Sequence, residues 1–277
     1  MPEPHDQQRD DYAEGPPPPE PAAGKAVAAK PSPRPMRTAL TVGGVFGLVG
    51  FCMLSLMLFG DRMKAPADRM SSANNLKEIA LGIQSYQEAR GELPSNSCGK
   101  DGNPLLSWRV HILPFIEHDP LYKQFKLDEP WDGPTNIGLL NLMPRVYLGV
   151  TGKAAAPLTY YRGFSSPGAV FDRLLRLDQS RPEKDRFRLD RFGDPTTETL
   201  LVVEAGVPVE WTKPDDLDAS PGKPFPKMGG LGWRKVFQAV MADGSIQALR
   251  LDLPEPTLRA LVTQSGGEAL PPGWDNP

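Results

Sequence analysis

Between Arg37 and Asp61 lie 23 residues, TALTVGGVFGLVGFCMLSLMLFG, without one charge. Coiled as a helix they would measure about 34 Å at 1.5 Å per residue. That length crosses a hydrocarbon core of about 30 Å. Residues 38–60 therefore predict a single transmembrane helix, with the lipid bilayer as its partner. A cleavable signal peptide fits less well, because the run is long, begins 37 residues in and is followed by no clean A-x-A site. Gly43 and Gly47 make a GxxxG step of the kind that lets two such helices approach.

The run divides the chain. Residues 1–37 hold ten of the 32 prolines, four of them consecutive at Pro16 to Pro19, and Tyr12 is their one aromatic residue. So few large apolar side chains cannot offset the entropy of ordering, and a disordered, proline-rich tail is expected. Four basic residues precede the span within fifteen positions (Lys25, Lys30, Arg34, Arg37) and three follow it (Arg62, Lys64, Arg69). The excess of positive charge leans toward a cytoplasmic N-terminus and an extracytoplasmic C-terminal part. Residues 61–277 carry 26 basic and 28 acidic residues, and the whole chain has a net charge of −3. No basic face is advertised, which argues against a nucleic-acid partner. Two cysteines, Cys52 and Cys98, cannot build a disulfide framework.

Periodicity predicts the elements of the last part. DRMSSANNLKEIALGIQSYQEARG places Met70, Ala73, Leu76, Ile79, Ala80, Ile83 and Tyr86 at spacings of three and four. This is an amphipathic helix, with Asp68 or Ser71 as its cap and Gly91 and Pro94 as its stop. SWRVHILPFIE, LYKQF and TNIGLLNLM suggest short helical pieces, whereas VYLGV, LTYYRGF, ETLLVVEAG and VEWTKP suggest short strands. KVFQAVMADGSIQALRL reads as a hairpin turning at Asp243-Gly244, a pair that favours type I′. EPTLRALVTQSGG closes with a short helix. One helix on an antiparallel sheet is an α+β fold.

Several segments resemble a known family in order. NNLKEIALGIQSYQEARGELPSN, DGNPLLSWRVHILPFIE, LYKQFKLDEPWDGPTN, VVEAG, VEWTKPDDL and ADGS together span about residues 70–267. They resemble a bacterial prepilin-like family, domain of unknown function 1559. The resemblance implies a pilin- or pseudopilin-like domain: an N-terminal amphipathic helix packed on an antiparallel sheet, and no enzymatic activity. Its motif positions here are Asn74, Asn75, Trp108, Arg109, Trp131, Asp132, Glu204, Trp211, Asp243 and Gly244. Three features depart from it. Residues 38–60 contain no glutamate and follow no prepilin cleavage site, Pro66 interrupts the helix, and Trp233 stands where many relatives have His. Without the membrane glutamate, assembly into a fibre is not expected.

Sites of chemistry are few. Asp215, Asp216 and Asp218 in KPDDLDASPG, with Asp243, are the acids that a calcium ion would need, but six to eight oxygens are required and no EF-hand pattern is present. His111, Glu117 and His118 form the best metal-like set, interrupted by Pro114. No nucleophile elbow, zinc-protease motif or phosphate loop occurs. No cofactor or catalytic residue is assigned. Glu204, ending LLVVEAG, is expected either at a wet strand end or buried beside a partner. The sequence thus predicts a non-catalytic, membrane-anchored, pilin-like protein of the cell surface, a secretion system or the envelope, with envelope or secretion proteins as possible partners. The alternative is a tethered module that binds a peptide or glycan.

Overall fold

The computed structural model describes residues 66–149, 157–172, 187–229, 231 and 235–276. The expected tail, the expected span and Trp233 lie outside them. Among the described residues, no helix is long and apolar enough to cross a membrane.

Residues 66–90 are helical (α1). Asp68 and Ser71 thus lie inside the helix that they were expected to cap. The break expected beside Pro66 falls at the edge of the described residues. Leu76, Ile79, Ala80 and Ile83 are buried as their spacing demands, with Ser72 and Gln87 buried at the two ends of the same stripe. Met70, counted in the stripe from sequence, is instead 69% exposed. Gly91 ends α1 at φ 79°, its N–H donating to Gln87 O at 2.7 Å, a left-handed stop that glycine adopts without steric cost.

Short turns of helix follow: α2 (Trp108–His111), a 3₁₀ turn at Leu113–Phe115, α3 (Asp119–Tyr122), and 3₁₀ turns at Asn136–Leu142 and Arg145–Tyr147. The last of these replaces the strand expected for VYLGV. Tyr147 is pulled into the core there, where its ring stacks on Trp211 at 5.8 Å and its hydroxyl donates to Arg109 O at 2.8 Å. Tertiary contacts override the local β preference.

Four antiparallel strands, β1 (Leu158–Arg162), β2 (Leu200–Glu210), β3 (Val236–Met241) and β4 (Ile246–Arg250), lie in sequence order. The two strands read in ETLLVVEAG and VEWTKP are one, β2. Pro208 is accommodated because the β1–β2 register shifts between Tyr161↔Glu204 and Thr159↔Val209, leaving it outside the paired positions. The β3–β4 turn also differs from expectation. Gly244 has φ 87°, whereas Asp243 is not among the residues of positive φ, so a type I′ turn is excluded. Gly244 N donates to Met241 O and Met241 N to Ser245 O, a three-residue loop with glycine at the left-handed position. Asp243 Oδ1 accepts from the Ser245 amide and hydroxyl.

The sheet is buried on both faces. On one, Val202, Val236 and Val240 share a core with Leu76, Ile79 and Ile83 of α1 and with Trp108, Ile112, Tyr147 and Trp211. On the other, Val203, Phe237, Ala239 and Met241 meet α4 (Glu255–Val262) through Leu258, Leu261 and Val262. The alternation of β3 assigns its residues to the two faces, as a period of two requires.

Candidate functional site

Two buried polar networks, the first of them under α1, are joined by Tyr161. Glu204 is wholly buried on the face of β2 that α1 covers. Ser72 donates to its Oε1, and Gln238 N, on the neighbouring strand, donates to its Oε2 at 2.9 Å. The Ser72 proton being so used, the contact of its oxygen with the Tyr161 hydroxyl at 2.8 Å is donated by the phenol. Asn75 Nδ2 approaches the same phenol and Leu148 O, each at 3.4 Å. Hydrogen bonds thus run from Asn75 through Tyr161 and Ser72 to the carboxylate. Burial pushes the Tyr161 phenol up to about 12, against the pull of Ser72 and Asn75 and with the help of Glu204, so it stays protonated and donates. Beside this row Gln238 Nε2 donates to Arg69 O at 2.9 Å, fixing the first turns of α1 to β3.

The second network is centred on Arg109, also wholly buried. Its Nε donates to Tyr161 O at 2.9 Å, one terminal nitrogen to Ser107 Oγ at 2.6 Å and the other to Asp216 at 3.4 Å. Its carbon lies 4.7 Å from the Trp108 ring centre, a cation–π distance. Asp216 further accepts from Trp108 Nε1 at 3.1 Å, Gly163 N at 3.3 Å and Asn96 Nδ2 at 2.6 Å. Burial lowers the Arg109 pKa, the Asp216 charge opposing it. A guanidinium titrates so far above neutrality that it stays charged all the same. A paired ion in such a place costs several kcal/mol to desolvate, and its hydrogen bonds keep it in one geometry.

The acids proposed for calcium therefore face different partners. Asp216 belongs to Arg109, Asp215 pairs with Arg162 at 2.6 Å, and Asp218 pairs with Lys223 and accepts from Ser220. The Lys223 bond, then those of Ser220, hold the Asp218 carboxyl down at about 2. Asp243 is exposed at the distant hairpin and engaged with Ser245. His111 does not meet a second ligand: burial, with Arg90 behind it, lowers its pKa to about 4, and Nε2 is buried without a hydrogen-bond partner. Among the described residues no group of three or more His, Cys, Asp or Glu side chains could hold a metal ion.

Of the motif positions, Asn75, Trp108, Arg109 and Glu204 come together around Tyr161. Asn74 and Asp132 are exposed, and Trp131 packs half-buried on the core. Trp211 lies buried at the Tyr147 side, its Nε1 donating to Leu140 O at 2.9 Å. Sequence reasoning missed Ser72, Ser107 and Gln238. One signal was present for Ser72, which stands four residues before Leu76 on the apolar stripe, a polar residue at a core position.

At the other end of α1 an open groove of about 370 Å³ is lined by Gln84, Gln87, Glu88, Arg188, Asp190 and Asp243, among others. Its lining is mostly polar and lacks the apolar walls usual for a small-molecule site.

Residues 62–148 match the family described as Protein of unknown function (DUF1559). Over that segment the chain is similar to the DUF1559 family. The DUF1559 match takes in α1 and the short helices as far as Arg145–Tyr147, and with them Ser72, Asn75, Trp108 and Arg109. Their partners Tyr161, Glu204 and Asp216 follow it in the chain. No curated protein and no solved structure matches the sequence.

Proposed function

We propose that the chain is a non-catalytic, pilin-like protein held in the membrane by residues 38–60. Its N-terminus is cytoplasmic, its domain 61–277 extracytoplasmic, and it serves cell-surface, secretion or envelope organisation as a permanent anchor rather than a fibre subunit. The observation that carries this reading is the use made of Glu204 and Arg109. Glu204 accepts from Ser72 of α1 and Gln238 N of β3, and Arg109 donates to Tyr161 O of β1 and to Ser107 Oγ. Both charges are thus spent on fastening α1 and the Ser107–His111 segment to the sheet. A helix that follows an expected span in sequence and is fastened this firmly transmits position rather than chemistry. The polar groove beside Asp243 is where the alternative, a tethered module for a peptide or glycan, would act.

Topology tests the reading. Cys98 is a free, half-buried thiol. A membrane-impermeant thiol reagent should label it in cells whose outer layer is permeabilised. Labelling that appears only after the inner membrane is lysed, with Cys98 reactive in the purified protein, would reverse the assignment.

A further inference from the structure

The described domain is unlike at its two ends. α1 runs in the opposite sense to β2: Gln84 lies at the β3–β4 turn, 3.3 Å from where a Cβ on Gly244 would sit, and Ser72 lies over Glu204. Its first turns therefore point toward the end of the sheet where β3 begins at Val236 and β2 passes Gly206. There the chain 227–229 joins β2, with Gly206 N donating to Lys227 O at 2.6 Å and Gly229 N to Glu204 O at 3.0 Å. Leu251 reaches the same place, since its N–H donates to Lys235 O at 2.7 Å and its side chain adjoins Gly229.

Three of the large apolar side chains that the domain leaves exposed collect at this end: Met70 at 69%, Val207 at 58% and Leu251 at 41%. Between them stand the exposed cations Arg69, Lys227 and Lys235. Arg250 is there too, paired with Asp252 at 3.0 Å, and Asp68 is half-buried on α1. The far end, around the groove, presents Glu88, Asp190 and Asp243 beside the exposed Arg90 and Arg191, with Arg188 bonded to Asp190, and so mixes both signs. Apolar side chains set among cations are the composition of a surface that lies on anionic headgroups, the apolar groups entering the interface and the cations meeting the lipid charge.

Chain length supplies the second argument. From Gly60, the last residue of the expected span, to Pro66 is six peptide steps, at most about 20 Å however the segment runs. The start of α1 is thus tethered close to the headgroup layer.

We propose that this end of the domain, carrying Arg69, Met70, Val207, Lys227, Lys235 and Leu251, seats on the anionic surface of the bilayer that holds the anchor. The proposal rests on the membrane-anchor reading. The groove end then faces away from the membrane.

The test uses the full chain, with Cys52→Ala and Cys98→Ser, reconstituted in phosphatidylcholine vesicles with and without phosphatidylglycerol. A fluorophore is attached at Met70→Cys, at Val207→Cys or, as the distant control, at Asp243→Cys, and quenching by headgroup spin-labelled lipid is read. Quenching at 70 and 207 should exceed that at 243 severalfold in the anionic vesicles. It should fall toward the control without phosphatidylglycerol, or when Lys227→Glu and Lys235→Glu are combined. Equal quenching at all three positions, in protein that resists carbonate extraction, overturns the seating and leaves the anchor standing. Quenching at 70 and 207 that ignores both lipid charge and the lysine changes also overturns it. Release of the chain by carbonate overturns the anchor and this proposal together.

Discussion

Glu204 needs its donors as much as they need it. Removing the carboxylate in Glu204→Ala leaves Ser72 Oγ and Gln238 N facing a small void, and a buried polar group without a partner costs about 1–3 kcal/mol. A loss of about 3–5 kcal/mol is expected, because a buried network is broken on one side. Glu204→Gln keeps the shape and should lose roughly half as much. Urea denaturation of the two variants beside the parent measures both; equal loss would mean that the carboxylate's charge, not its volume, holds the site. His111 supplies a pH dependence. Its folded pKa of about 4 lies below the 6.5 of the free imidazole, so the unfolded chain takes the proton first. Its contribution is complete above about pH 6.5 and is lost as pH falls toward 4, on the order of 1–3 kcal/mol. The parent should therefore lose more stability between those pH values than His111→Gln, and identical slopes would remove His111 as the cause. At this scale the sequence is half legible. Glu204 and Arg109 stand out as motif residues, but Ser72 and Glu204 are 132 positions apart, and nothing local announces that they meet. Asp216 looked like a loop acid because its neighbours Asp215 and Asp218 are; only the fold turns it inward to Arg109.

At Gly82 two elements meet closely. A Cβ there would lie 2.6 Å from Ile116 Cγ2, so α1 and the Leu113–Phe115 turn touch where a side chain cannot fit. Gly→Ala inside a helix ordinarily gains about 0.5–1 kcal/mol. Here overpacking should reverse the sign, with a net loss of about 1–2 kcal/mol. Ile116→Ala combined with Gly82→Ala should destabilise less than the sum of the two, and strict additivity in thermal melts would contradict the contact. In the hairpin, Gly244→Ala forces φ 87° on a residue with a Cβ, at a cost of about 1–2 kcal/mol. The helix 66–90, both hairpin strands and α4 follow from periodicity and turn residues because each carries its signal within a dozen positions. The Arg145–Tyr147 turn does not, since its conformation is chosen by Trp211 and Arg109. Nor does the length of β2, where Gly206 and Pro208 look like a stop and are instead taken up by an irregular register.

At the scale of the whole molecule, the two cores on either face of the sheet are built, among the described residues, from Leu76 onward. Residues 67–277 are therefore expected to fold without the expected span, giving a cooperative melt by circular dichroism. An aggregated or unfolded product would contradict that division. Mass spectrometry of the native chain should find an N-terminus upstream of Arg37. A mature start near Thr38 would restore processing of the prepilin kind.

The clamp of α1 to the sheet also has a history within each molecule. α1 leaves the ribosome early, and the β3 residue Val240 that helps to cover Leu76 is added 164 residues later. At synthesis rates of about 5–20 residues per second, the apolar stripe waits for roughly 8–33 s. During that interval Leu76, Ile79 and Ile83 have no sheet to rest on. A newborn chain of this kind needs a holding factor, or a closely apposed surface, before it needs any partner.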